Sequence, residues 1–162
     1  MDNRPTPEDT ARWQRRIAAQ ANNQAWTLAE APQRSADEDE DMLQAAHAAM
    51  HLWKIVGNEL QRAHAALLLA HVYALLRLPN PAAHYLAKTG TALFAAPAQP
   101  WEQALAHAVA ANVTAARGNA AAYAEHLRQA TEGTAALADP EERSIIEATL
   151  RVLPKRAPPT HT

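Results

Sequence analysis

Signals that start and stop helices recur along this sequence at intervals of about one helix length. Pro7 and Pro140 each follow a capping side chain, and Ser35 opens an acidic turn. A capping oxygen, an early proline and early acidic residues all stabilise the N-terminal end of a helix. Gly57 and Gly118 lie where the matching C-terminal stops are needed. These start and stop signals predict a chain built from successive capped helices.

The composition favours the same all-α class. Alanine, the best helix former, occupies 41 of the 162 positions. Glycine occurs only 4 times and aromatic residues make up 5% of the chain, whereas a β-sandwich or barrel needs many β-branched and aromatic residues and glycine-rich turns. We therefore expect helices alone, in a single helical-repeat domain over residues 1–154 with a flexible tail at 155–162.

Seven helices are predicted from the caps, the breakers and the apolar spacing. Because the connections are short, neighbouring helices should be antiparallel, so that six helices form three pairs and the seventh caps the C-terminal end. The third helix is apolar nearly all round from Ala65 to Leu76 and is expected to be the most buried. The predicted ranges are 7–31, 36–56, 59–78, 81–96, 100–117, 120–138 and 140–153.

Charge and residue content exclude several classes of function. The formal net charge is -2, without the basic excess that is typical of a nucleic-acid-binding domain. The chain has no cysteine, which removes disulfides, thiolate zinc sites, iron–sulfur clusters and cysteine nucleophiles. The longest apolar run, Ala65 to Leu76, is too short to span a bilayer. We expect a cytoplasmic protein that binds neither nucleic acid nor membrane.

The sequence carries no familiar catalytic motif. Its two serines, Ser35 and Ser144, lie where helix caps or solvent-facing positions are predicted. Neither a nucleophile elbow nor a glycine-rich phosphate loop is present. The acidic run from Asp37 to Asp41 is interpreted as complementing the dipole of a helix start. We expect a protein that is not an enzyme and that uses no cofactor.

Histidines provide the candidate for metal chemistry. His47 and His51 are four residues apart on the second predicted helix, and His64 and His71 are two turns apart on the third. Imidazoles from two facing helices can ligate zinc or a related metal. Neither HExxH nor Glu-x-x-His occurs, so the favoured interpretation is semi-buried or interfacial histidines bonded to backbone carbonyls. A His-ligated metal-dependent enzyme stays as an alternative.

The third and fifth predicted helices superimpose at an offset of about 41 residues, and the matched segments resemble the tetratricopeptide repeat. The first copy carries the resemblance in Leu69-Ala70-His71-Val72-Tyr73, followed by Ala82 and Leu86. The second copy carries it in Arg117-Gly118-Asn119, followed by Leu127 and Ala130. Through Ala46-His47, His51-Leu52-Trp53 and Val56-Gly57 the chain also resembles a group of small bacterial helical proteins of unassigned function.

The tetratricopeptide resemblance implies a right-handed array of helix pairs with a concave groove. Its groove face would carry His64, Leu67 and His71 from the third helix and Asn112 from the fifth. His47 and His51, on the adjoining helix, would reach the end of the groove at most. The function it implies is a non-enzymatic binding or scaffold module that recognises a peptide, a protein or a small ligand. A structural homo-oligomer, such as a homodimer that fills its own groove, is the other alternative.

Overall fold

A computed structural model describes residues 4–155 of the chain, and every regular element in that range is a helix. Seven helices follow one another, as predicted, and the all-α class is confirmed. The predicted tail at 155–162 lies outside the described residues except for Lys155. The helices are α1 (Pro7–Ala29), α2 (Ala36–Val56), α3 (Glu59–Leu75), α4 (Pro79–Thr89), α5 (Pro100–Ala116), α6 (Ala120–Ala136) and α7 (Pro140–Arg151).

The first three helices begin at the capping residues that the sequence predicts. Thr6, Ser35 and Asn58 each accept a hydrogen bond from the backbone N–H three residues later. In each case the side chain at that third position accepts a bond from the cap's own backbone N–H, which completes a capping box. Local sequence therefore fixes where these helices start.

Three predicted boundaries around α4 are wrong. The third helix ends at Leu75 instead of residue 78, because Arg77 takes a positive φ of 58° and turns the chain. The fourth helix then begins at Pro79, without a side-chain cap, and not at residue 81. It ends at Thr89 and not at residue 96, because Gly90 takes a φ of 62°. Residues 91–99 form an irregular loop that leads into α5.

The helices pack as consecutive pairs, α1 with α2, α3 with α4, and α5 with α6. The odd-numbered helices also contact one another in succession, since α1 meets α3, α3 meets α5 and α5 meets α7. One side of α3 buries Leu67 and Ala70 in a cluster shared with α5. Its other side buries Leu68 and Val72 against α1 and α2. Burial on two sides explains why this helix is apolar nearly all round.

The turns that end α3 and α5 have the same geometry, 41 positions apart. Arg77 and Gly118 both take a left-handed φ, 58° and 71°. After each of them the next backbone N–H donates to a carbonyl five residues back, from Leu78 to Tyr73 and from Asn119 to Thr114. This is the Schellman arrangement. The two turns support the 41-residue internal repeat, whereas membership of the tetratricopeptide family stays a prediction.

Candidate functional site

The structure brings two of the predicted site residues into contact. The side-chain nitrogen Nδ2 of Asn112 lies 3.1 Å from Nδ1 of His71, and the indole of Trp26 stacks on the imidazole at 5.6 Å between ring centroids. However, His71 and Leu67 have no exposed surface, and Asn112 is only 4% exposed. The expectation that these side chains line an open groove is therefore corrected: they fill the space between α3 and α5.

His71 is held neutral by its surroundings. Burial lowers its pKa to about 3, and the nearby positive charge of Arg34 adds to the effect. The Nε2 atom is buried without a hydrogen-bond partner. A neutral, fully covered imidazole packs the interface between helices, and it is not accessible to a ligand from solvent.

Two of the other predicted histidines, His64 and His47, have separate partners. His64 Nε2 lies 2.7 Å from a carboxylate oxygen of Glu102, and its ring stacks on Trp101. On α2, His47 Nε2 lies 2.7 Å from the hydroxyl of Tyr73, and burial lowers the pKa of this histidine. His51 is exposed.

The four histidines proposed for the metal alternative thus have different neighbours. Within residues 4–155 no cluster of three or more histidine, aspartate or glutamate side chains is arranged to hold a metal ion. The predicted ligand-binding role of His47, His51, His64, Leu67, His71 and Asn112 stays a prediction, now without an open groove that contains them.

A cavity of about 580 Å³ lies elsewhere, between α2, α3 and the end of α4. None of the six predicted site residues lines it. Its walls combine long charged side chains with small apolar ones. The lining residues are Met50, Lys54, Glu59, Arg62, Ala63, Ala66, Lys88, Thr89, Gly90, Thr91 and Ala92.

The spacing of residues on α3 builds the floor of the cavity. Arg62 and Ala63 lie three and four residues after Glu59, and Ala66 lies four and three residues after them, so all four share one helix face. The alanines are buried and short, which leaves room above them. On the opposite wall a Cβ added to Gly90 would meet nothing within 4 Å. The cavity exists because small residues lie where larger ones would fill the space.

Positive charge dominates the cavity walls. Lys54, Arg62 and Lys88 supply three cationic groups against the single carboxylate of Glu59. The chain has only three lysines, and two of them are here, although its formal net charge is -2. The Arg62 guanidinium donates to the backbone carbonyl of Gly57 at 2.7 Å, which fixes the position of its head group. Such an arrangement attracts an anion.

Sequence reasoning did not find this cavity, and the signal for it is weak. Lys54 and Lys88 lie in the last turns of α2 and α4, where a lysine ordinarily complements the helix dipole. Only the packing of both helices on α3 brings the two ammonium groups to one space. The one clue is that two of the three lysines in the sequence lie in the last turns of helices.

A second cluster that the sequence reasoning missed joins α5 to α6. The Nδ1 atoms of His107 and His126 are 3.0 Å apart, within hydrogen-bond distance. The ring of Phe94, from the loop before α5, meets His107 edge-on at 5.2 Å and lies 6.5 Å from His126, measured between ring centroids. Burial is the main cause that lowers the pKa of both histidines.

Comparisons with protein-family models, with curated proteins and with solved structures give no significant match to this chain. The resemblances to the tetratricopeptide repeat and to small bacterial helical proteins therefore stay predictions. None of the helices between residues 4 and 155 is long and apolar enough to cross a membrane.

Proposed function

We propose that this protein is a non-enzymatic binding module that holds a small anionic ligand in the cavity between α2, α3 and α4. The ligand class is a molecule with a carboxylate or phosphate group. The observation that carries this proposal is the convergence of Lys54, Arg62 and Lys88 on one cavity with a single opposing carboxylate, that of Glu59.

The volume of the cavity supports a small ligand. Sites for small molecules typically measure about 300–1,000 Å³, and this cavity measures about 580 Å³. Met50, Ala63 and Ala66 supply apolar surface beside the charged groups. In such sites a small number of polar groups, held at fixed positions on an apolar wall, orient the bound molecule. The cavity fits a metabolite-sized anion or the acidic end of a peptide better than a folded partner.

The arginine and the two lysines would contact an anion in different ways. Arg62 presents a planar fork, which suits two oxygens of one carboxylate or phosphate, and its contact with the Gly57 carbonyl orients that fork. Lys54, from α2, and Lys88, from α4, act as flexible point charges. Since these charges reach solvent, binding should weaken as ionic strength rises.

Isothermal titration calorimetry with sodium sulfate and with citrate, at constant ionic strength, tests this proposal. We expect saturable one-site binding. Lys88→Gln should weaken it by about fivefold or more, since one charge-assisted contact is lost. Lys155→Gln is the matched control, because Lys155 is the one lysine outside the cavity, and it should leave the affinity unchanged.

A second variant separates the cavity from general surface charge. Ala66→Leu keeps every charge but fills the floor of the cavity, so it should abolish binding of citrate, the larger probe. The proposal fails if neither probe binds, or if Lys88→Gln and Lys155→Gln have equal effects. It also fails if Ala66→Leu, shown to be folded by circular dichroism, binds citrate as the unaltered protein does.

A second candidate function is assembly with another copy of the chain. On α1, Trp13 is 58% exposed and Ile17 is 48% exposed, one helical turn apart. The Arg16 guanidinium lies 5.7 Å from the centre of the Trp13 ring, which leaves a mixed basic and aromatic surface. Tryptophan and arginine are enriched at the centres of protein interfaces. Light scattering would support this candidate if it finds a dimer that Trp13→Ala converts to a monomer, and a monomeric wild-type protein would exclude it.

A further inference from the structure

The imidazoles of His107 and His126 can form their contact only while at least one of them is neutral. With their Nδ1 atoms 3.0 Å apart, one ring must donate an N–H and the other must accept it. A second proton would place two N–H groups and two positive charges against each other. The contact is therefore sensitive to protonation by its geometry alone.

The loop between α4 and α5 connects this pair to the cavity. Phe94 contacts both imidazole rings, and its backbone N–H donates to the carbonyl of Thr91 at 3.1 Å. Thr91 and Ala92 line the cavity, and Leu93, which joins them to Phe94, is fully buried. Four consecutive residues thus run from the cavity wall to the histidine pair.

We propose that the His107–His126 pair is a proton-operated latch on this loop, which closes the wall of the anion cavity at neutral pH and releases it on acidification. This inference deepens the proposed function, on which its ligand-binding consequence rests. Protonation of both rings separates them, removes the surface on which Phe94 packs, and loosens the wall at Thr91 and Ala92.

Burial and the charges around the pair determine whether the histidines become protonated above or below the ordinary pKa of 6.5. Burial opposes charging of both rings, and the charge on His126 further disfavours a proton on His107, so both pKa values lie below the ordinary 6.5. Glu125 works the other way, but its carboxylate is bonded to Arg128 and Gln129. Phe94, the contact from the loop, adds no charge. Opening is therefore expected only below pH 6.5, the ordinary pKa of histidine.

Hydrogen exchange of the ligand-free protein tests the latch without any ligand. The Phe94 amide should lose protection by about tenfold or more between about pH 7.5 and pH 5, because its bond to Thr91 opens. His126→Gln keeps a polar side chain that cannot be protonated, and its Phe94 amide should stay protected. His51→Gln, at an exposed histidine on α2, should behave as the wild type does.

The wild-type protein alone also decides the question if a variant does not fold. The midpoint at which Phe94 loses protection should coincide with the titration of the His107 and His126 rings, followed by their NMR signals. The latch is overturned if Phe94 stays protected at about pH 5, if the two midpoints differ, or if a folded His126→Gln protein opens as the wild type does.

Sulfate binding tests the consequence for the cavity, since sulfate remains a dianion across this range. Its affinity for the wild type should fall by about fivefold or more from about pH 7.5 to pH 5, and it should stay level in His126→Gln. Added protons would by themselves strengthen anion binding, so a loss has the opposite sign to simple electrostatics. An affinity that rises or stays level in the wild type overturns the coupling. If neither sulfate nor citrate binds at neutral pH, the proposed function is overturned instead, and the exchange experiment still decides on the latch.

Discussion

His71 and Asn112 hydrogen-bond to each other across the α3–α5 interface, 41 residues apart, at equivalent positions of the internal repeat. Because Asn112 Nδ2 has only hydrogens to offer, Nδ1 of His71 accepts, and the proton of the neutral imidazole is on Nε2. That N–H is buried without a partner. This contact lies next to the ring of Trp26. Together with the bond between His64 and Glu102, it joins the two copies of the repeat across α3 and α5.

Removing the donor should destabilise this interface. Asn112→Leu keeps the branched shape of the side chain but leaves both imidazole nitrogens without partners, so the free energy of unfolding should fall by about 1–3 kcal/mol. Urea unfolding measures this. The double variant Asn112→Leu, His71→Leu should cost less than the sum of the single variants, because it removes both polar groups. Additive costs would show that the two side chains do not interact.

The low pKa of His71 makes stability depend on pH. The folded protein has a pKa of about 3 at this residue, against an ordinary value of 6.5. Between these values the unfolded chain binds a proton that the folded protein does not, so this stabilisation is complete above pH 6.5 and is lost as pH falls towards 3. The slope approaches about 1.4 kcal/mol per pH unit. Urea unfolding between about pH 7 and pH 5 should show a shallower pH dependence in His71→Leu than in His51→Leu.

Ala70 should not tolerate a larger side chain. It has no exposed surface and lies in the cluster shared by α3 and α5. Ala70→Leu should overpack this contact and lower the free energy of unfolding by about 1–3 kcal/mol. Ala48→Leu, at an exposed position of α2, is the control and should be close to neutral. Equal unfolding midpoints for the two variants would contradict a tightly packed α3.

The two equivalent turns should respond oppositely to reciprocal changes. Arg77 holds a φ of 58°, which is strained for a residue with a Cβ, whereas Gly118 holds 71° without that strain. Thermal unfolding should show Arg77→Gly to be stabilising by about 0.5–1 kcal/mol and Gly118→Arg to be destabilising by about 1–2 kcal/mol. If Arg77→Gly is destabilising, the arginine side chain contributes more at this turn than its backbone conformation costs.

The fold was largely predictable because it rests on local signals. Capping boxes at Thr6, Ser35 and Asn58 start three helices where the sequence places them. The exceptions, around α4, arise where backbone conformation is decided by packing. Arginine is an uncommon residue for a left-handed turn, so the stop at Arg77 has no clear sequence signal, and Gly90 ends α4 in a segment that otherwise favours helix.

The candidate site was much less predictable, because it depends on contacts between distant segments. The 41-residue offset relates His71 to Asn112, and they do meet, but nothing in the periodicity shows that the space around them is filled. The cavity needs Lys54 and Lys88 to approach from two helices over the alanines of α3. The pairing of His107 with His126 likewise depends on how α5 packs on α6. Single-helix patterns do not contain such distances.

Mapping the sulfate site by NMR tests the central claim most directly. In a titration at neutral pH and constant ionic strength, the backbone amides of Gly90, Thr91 and Ala92 should shift together and saturate with one affinity, and Lys88→Gln should reduce these shifts. The arginine-rich part of α1, with Arg12, Arg15 and Arg16, is the internal comparison. Shifts that concentrate there, or that spread evenly over the surface without saturation, would contradict an anion site between α2, α3 and α4.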